Sequence, residues 1–134
     1  MNLSFSSMPG APFFANALFS LLTGATLLVL APQAAVWLGL QHAAIPAVIG
    51  GSLLFFAGHI LIALKRRKPI VAELVYFTVL DVVWVLASVV LLVAFPGTLS
   101  REGRFAVLAV GVVVEALATL QAWGLWRAFR RQTA

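Results

Sequence analysis

The chain has 134 residues, 63% of them hydrophobic and 10% charged, against roughly 45–50% and about 25% in soluble domains. That is the length of one domain with far too apolar a composition for a water-soluble surface, so the net charge of +5 is not read as affinity for nucleic acid. There is no cysteine, which removes disulfides, thiolate nucleophiles and cysteine-based metal sites.

A helix needs about 20 apolar residues to cross a hydrocarbon core roughly 30 Å thick. Four runs qualify, at 12–31, 45–64, 70–95 and 104–126. Pro12 can open the first and Pro32 is expected to end it, because proline supplies no N–H to a helix interior. No Lys or Arg precedes this run, so it lacks the basic start of a secretory signal and is expected to be retained. The second begins near Pro46 and stops at Lys65, and the third follows Pro69 and stops at Phe95-Pro96-Gly97. Ser100 is the expected N-cap of the fourth, with Glu102 in its first turn. The gaps are short, so successive helices should be antiparallel neighbours. The expected fold is all-α, an integral membrane four-helix bundle forming a single transmembrane domain over residues 1–134.

Cations give the bundle a direction. Lys65, Arg66, Arg67 and Lys68 lie between the second and third runs, and Arg127, Arg130 and Arg131 follow the fourth, whereas the other side has only Arg101 and Arg104. Seven cations against two place both termini in the cytoplasm, since Lys and Arg are retained on the inner side. A multi-pass protein of a bacterial cytoplasmic (inner) membrane is the expected setting, and the lipid bilayer is its first partner. The Lys65–Lys68 cluster is foremost a topology determinant, and it can also meet anionic lipid headgroups.

The chain also reads as one hairpin written twice. Residues 16–32 match 81–96: each opens on a short polar side chain, passes through Leu-Leu-Val and ends at Pro. Residues 59–67 match 121–129, with His59 and Gln121 each six residues before a cation. Such a duplication predicts two parallel-repeat hairpins related by an axis along the membrane normal.

Depth along each helix gathers the polar residues. At 1.5 Å per residue, Asn16, His59, Asp81 and Gln121 all fall about 20–25 Å from the outer end, and Glu115 about 16 Å. Four helices thus contribute to one polar layer. Helical spacing places Asn16, Ser20 and Thr23 on one stripe, and Gly51, Ser52, Phe55, Gly58 and His59 on a second. Thr78, Asp81 and Ser88 make a third stripe; Gly111, Glu115, Ala118, Thr119 and Ala122 make a fourth. Small and polar residues mark helix–helix faces in membranes, so all four stripes are expected to turn inward. His59 and Asp81 are expected to lie within direct or one-water hydrogen-bond reach. Glu73, one turn into the third run, is expected to form a salt bridge near the basic loop.

Ionisable groups inside a membrane are functional candidates. The leading expectation is binding or passage of a small solute, ion or proton at His59, Asp81, Asn16 and Gln121, with Glu115 as a second station. The alternative is a non-catalytic accessory or assembly subunit, whose partner is a second copy or another membrane protein. A membrane enzyme acting on a lipid or quinone ranks third. Haem is not expected: His42 and His59, the only histidines, stand 17 positions apart near opposite ends of one hairpin. No metal site is expected, and no HExxH, GxSxG or P-loop pattern occurs. A hydrated path from Glu115 to the layer would favour passage; a dry, satisfied core with a small-residue outer face would favour assembly.

Overall fold

The computed structural model describes residues 10–66 and 70–132. Arg67 and Lys68 of the basic cluster, and Pro69, lie outside the described residues. Among those described there are five helices: α1 (Gly10–Val29), α2 (Ala31–Leu38), α3 (Ala44–Lys65), α4 (Val71–Ala94) and α5 (Arg101–Gln132). Four of them, α1, α3, α4 and α5, are long and apolar enough to cross a membrane. They coincide with the four runs read from the sequence, although α5 starts earlier and ends later than expected.

α1 ends at Val29, just before Pro32 as expected, but a second short helix follows at once. Pro32 sits in the first turn of α2, where its missing N–H costs little. Leu30 N donates to Thr26 O at 2.9 Å and Ala34 N to Leu30 O at 2.8 Å, so hydrogen bonding resumes across the break. α2 stops at Gly39, whose φ of +78° is the left-handed conformation glycine adopts without a Cβ penalty.

Ser100 then joins α2 to α5. Its hydroxyl accepts from Gly103 N at 2.9 Å, capping α5, and donates to Trp37 O at 2.6 Å. Its own N–H donates to Leu38 O at 2.9 Å. The approach is close enough that a Cβ on Gly103 would meet Leu38 O at 2.7 Å. Ser100→Ala removes both hydroxyl bonds and is expected to destabilise the fold by about 0.5–2 kcal/mol, the usual range for loss of an N-cap. Thermal unfolding in detergent checks this, with the exposed Thr98→Ala as a silent control.

α1 packs along α3, and α4 along α5; α1 also touches α5, and α2 bridges α3 and α5. α1 and α3 approach closely, glycine on glycine. A Cβ at Gly24 would meet Gly50 O at 2.8 Å, and one at Gly50 would meet Gly24 O at 2.6 Å. At the end that carries the α3–α4 connection, the pairs meet in an apolar core of Phe13, Ala17, Ile60, Ala63, Leu74, Phe77 and Leu125. Elsewhere large apolar side chains face outward while several polar ones are buried. Val36, Phe55, Val29 and Val93 are 75–81% exposed, while Asn16, Ser20, Thr78, Asp81 and Gln121 are buried. That inversion suits a hydrocarbon solvent, in which backbone groups must be satisfied within each helix.

Two of the four stripes expected to face inward do not. The buried face of α3 is Pro46, Gly50, Ala57, Ile60 and Ala63, not the stripe from Gly51 to His59. The buried face of α5 contains Val114, Ala118, Gln121, Leu125 and Ala128, which leaves Glu115, Thr119 and Ala122 outside. Small and polar side chains do mark contact faces, but nothing in that rule says whether the contact lies within one chain.

Candidate functional site

The buried polar residues stand directly on the apolar core. Asn16, Asp81 and Gln121 each lie one helical turn from a core residue of the same helix: Phe13, Phe77 and Leu125. One face of each helix thus supplies a floor side chain and the polar side chain above it.

Hydrogen bonding fixes the direction of every group in this cluster. Asn16 Nδ2 donates to Asp81 Oδ2, and Gln121 Nε2 donates to the same oxygen at 3.2 Å. A carboxylate only accepts, so both amides must present N–H to it and turn their oxygens away. Those oxygens then meet hydroxyls: Ser20 Oγ donates to Asn16 Oδ1 at 3.3 Å. Thr78 Oγ1 lies 3.0 Å from Gln121 Oε1 and 3.1 Å from Leu74 O, sharing one proton between two acceptors. Among the described residues no fully buried side-chain N or O lacks a partner. The network joins α1, α4 and α5, with both amide bonds ending on Oδ2 and none on Oδ1.

His59 makes no direct hydrogen bond to Asp81, the first of the two forms of reach expected of the pair. Its ring is half-buried, edge-on to Phe77 with centroids 5.1 Å apart, and tilted against Phe55 and Tyr76 at 6.2 and 6.4 Å. The cause is helix pairing. α3 packs on α1 rather than on α4, so Ile60 turns into the core and His59, about 100° away around the helix, reaches only its rim.

Glu115 is exposed on the outer face of α5. It has no hydrogen bond or ion pair among the described residues, and neither does Thr119, one turn further on. The helical Ser and Thr side chains Thr26, Ser52, Thr78 and Ser88, by contrast, reach back to the carbonyl four residues earlier. Lys65 and Arg66 are exposed at the end of α3. Arg66 Nη1 bonds both carboxylate oxygens of Glu73, at 2.7 and 2.8 Å, the salt bridge expected of Glu73. Two surface grooves lie far from the polar cluster. One, of about 330 Å³, is lined by Leu92, Arg101, Arg104, Phe105 and Leu108, and the other by residues of α2; neither touches Asp81. No three His, Asp or Glu side chains gather at one place among the described residues.

Comparison with protein-family models, with characterised proteins and with solved structures finds no match for this chain.

Proposed function

We propose that this chain is a non-catalytic assembly subunit of a bacterial cytoplasmic membrane, which packs the outer face of α5 against a transmembrane helix of a partner. One observation carries the proposal: among the described residues every fully buried side-chain N and O has a partner, while Glu115 and Thr119 face outward and make no hydrogen bond or ion pair. On the insertion scale an Asp at mid-span costs about 2.5–3.5 kcal/mol, and Glu115 bears a similar group near the middle of α5. A helix laid over this face would shield the carboxyl from lipid and give it a donor. The pairing of α1 with α3 and α4 with α5 supports the reading of the bundle as one hairpin unit used twice.

A photo-crosslinking residue at Val112, on the Glu115 face, tests this in native membranes. A protein adduct is expected there, and none from Val93 of α4. Labelling of lipid alone at position 112 would overturn the proposal. Topology is tested separately. Reporter fusions after residue 67 and at the C-terminus should read as cytoplasmic, and one near residue 99 as external.

A second reading keeps the buried cluster as a proton or cation site. What favours it is the neutrality of Asp81's partners: two amides bond the carboxyl, and no cationic side chain does. A charge held there has only a proton or a bound cation to offset it.

A further inference from the structure

We propose that the groove beside the start of α5 holds one anionic phospholipid, its phosphate between Arg101 and Arg104 and an acyl chain along the apolar wall below them. The proposal does not depend on the assembly reading.

Topology supplies no reason for these two arginines. Lys and Arg orient a chain by staying on the inner side, yet Arg101 and Arg104 stand at the end of the bundle opposite the α3–α4 connection. Being three positions apart, they share one face of α5. Phe105 and Leu108 extend that face at the fourth and seventh positions. All four line the groove of about 330 Å³, and Leu92 of α4 forms its other wall.

The charge at the mouth of the groove is not compensated. Among the described residues the Arg104 guanidinium makes no hydrogen bond or ion pair. That of Arg101 lies over the Phe105 ring, 5.9 Å from its centroid, which holds it against the apolar wall. Glu102 stands about 100° around the helix from Arg101 and pairs with neither arginine. Arg66 at the other end, by contrast, is already bonded to Glu73.

Polarity also changes with depth in the order a lipid requires. At 1.5 Å per residue, Leu108 lies about 10 Å below Arg101 along α5. The groove is therefore cationic at headgroup level and apolar beneath it. The guanidinium fork matches phosphate oxygens and can bond them in pairs. Two such cations around one phosphate select a headgroup with no cation of its own. A zwitterionic lipid would bring an ammonium against the same arginines. Free phosphate would engage the arginines and leave the wall of Phe105, Leu108 and Leu92 unused.

The test is native mass spectrometry of the protein in uncharged detergent, titrated with phosphatidylglycerol and separately with phosphatidylcholine of the same chains. One phosphatidylglycerol is expected to bind at least about tenfold more tightly than phosphatidylcholine. Arg101→Gln with Arg104→Gln should abolish that preference; Gln keeps the helix propensity, and both side chains are exposed. Arg127→Gln with Arg131→Gln, which removes the same charge at the far end of α5, should leave it. Arg101→Lys with Arg104→Lys should retain only part of it, because an ammonium lacks the fork. Inorganic phosphate at the lipid's concentration should not displace the lipid.

Equal binding of the two lipids by the wild type would overturn the proposal without recourse to any variant. A preference lost equally in the Arg127 and Arg131 pair would also overturn it, by assigning the effect to overall charge. Displacement by inorganic phosphate would defeat the lipid as occupant, since the apolar wall would then contribute nothing.

Discussion

Gly50→Ala is expected to be strongly damaging, with a loss of about 3 kcal/mol or more. The added carbon would lie 2.6 Å from Gly24 O and 2.8 Å from Leu28 N. Both are backbone atoms, so no rotamer change relieves the clash and α1 must move away from α3. Overpacking by a methyl group typically costs about 1–3 kcal/mol when side chains can adjust; here they cannot. The opposing gain in helix propensity, about 1 kcal/mol for Gly to Ala, is too small to reverse the sign. Gly51 is the internal control. A Cβ there meets nothing within 4 Å, so Gly51→Ala should be neutral or slightly stabilising. Thermal unfolding of the two variants in detergent decides the matter, and a Gly50→Ala protein as stable as wild type would show that the two helices do not touch as described.

Depth along the spans also pairs these two glycines. Gly24 and Gly50 both lie about 8–10 Å from the outer end of their spans, the same depth arithmetic that gathers Asn16, Asp81 and Gln121. Depth works for polar residues because a buried polar side chain needs a partner at its own level. Glycine has no such need, and the Gly50-Gly51 pair offered two faces with nothing to choose between them. Facing Gly51 inward turns α3 by about 100° and brings His59 inward with it. On α5 the error ran the other way. Glu115 and Gln121 are more than a quarter turn apart around the helix, and only one could face the core. The stripe of small residues pointed to Glu115, whereas the apolar residues at helical spacing from Gln121, namely Val114, Ala118, Leu125 and Ala128, define the buried face. The hairpin boundaries, the Ser100 cap and the Arg66–Glu73 pair were legible because each depends on local spacing. The bridge from α2 to α5 was not, since it joins segments more than 60 residues apart through backbone carbonyls that every residue has.

Asp81 separates stability from chemistry when replaced in two ways. Asp81→Leu leaves Asn16 Nδ2 and Gln121 Nε2 without an acceptor, in side chains no more than 1% exposed. An unsatisfied buried donor costs about 1–3 kcal/mol, and bonds in membrane bundles average nearer 0.6 kcal/mol, so a loss of about 1–4 kcal/mol is expected from the pair. Asp81→Asn should cost less than about 1 kcal/mol. Both donors converge on Oδ2, so the amide oxygen can take that place, with two lone pairs for two bonds. Its NH2 then takes the place of Oδ1, where no donor opposes it. The amide therefore preserves the clasp and removes only the capacity to gain a proton or balance a cation. If Asp81 is a clasp alone, wild type and Asp81→Asn will match in unfolding temperature and in liposome flux. If it carries protons or cations, a wild-type flux dependent on them will vanish in Asp81→Asn although the bundle stays folded. Absence of wild-type flux across protons, alkali cations and small cationic solutes, with equal stability of the two proteins, would remove the transport reading and leave the interior as the scaffold that presents α5 to its partner.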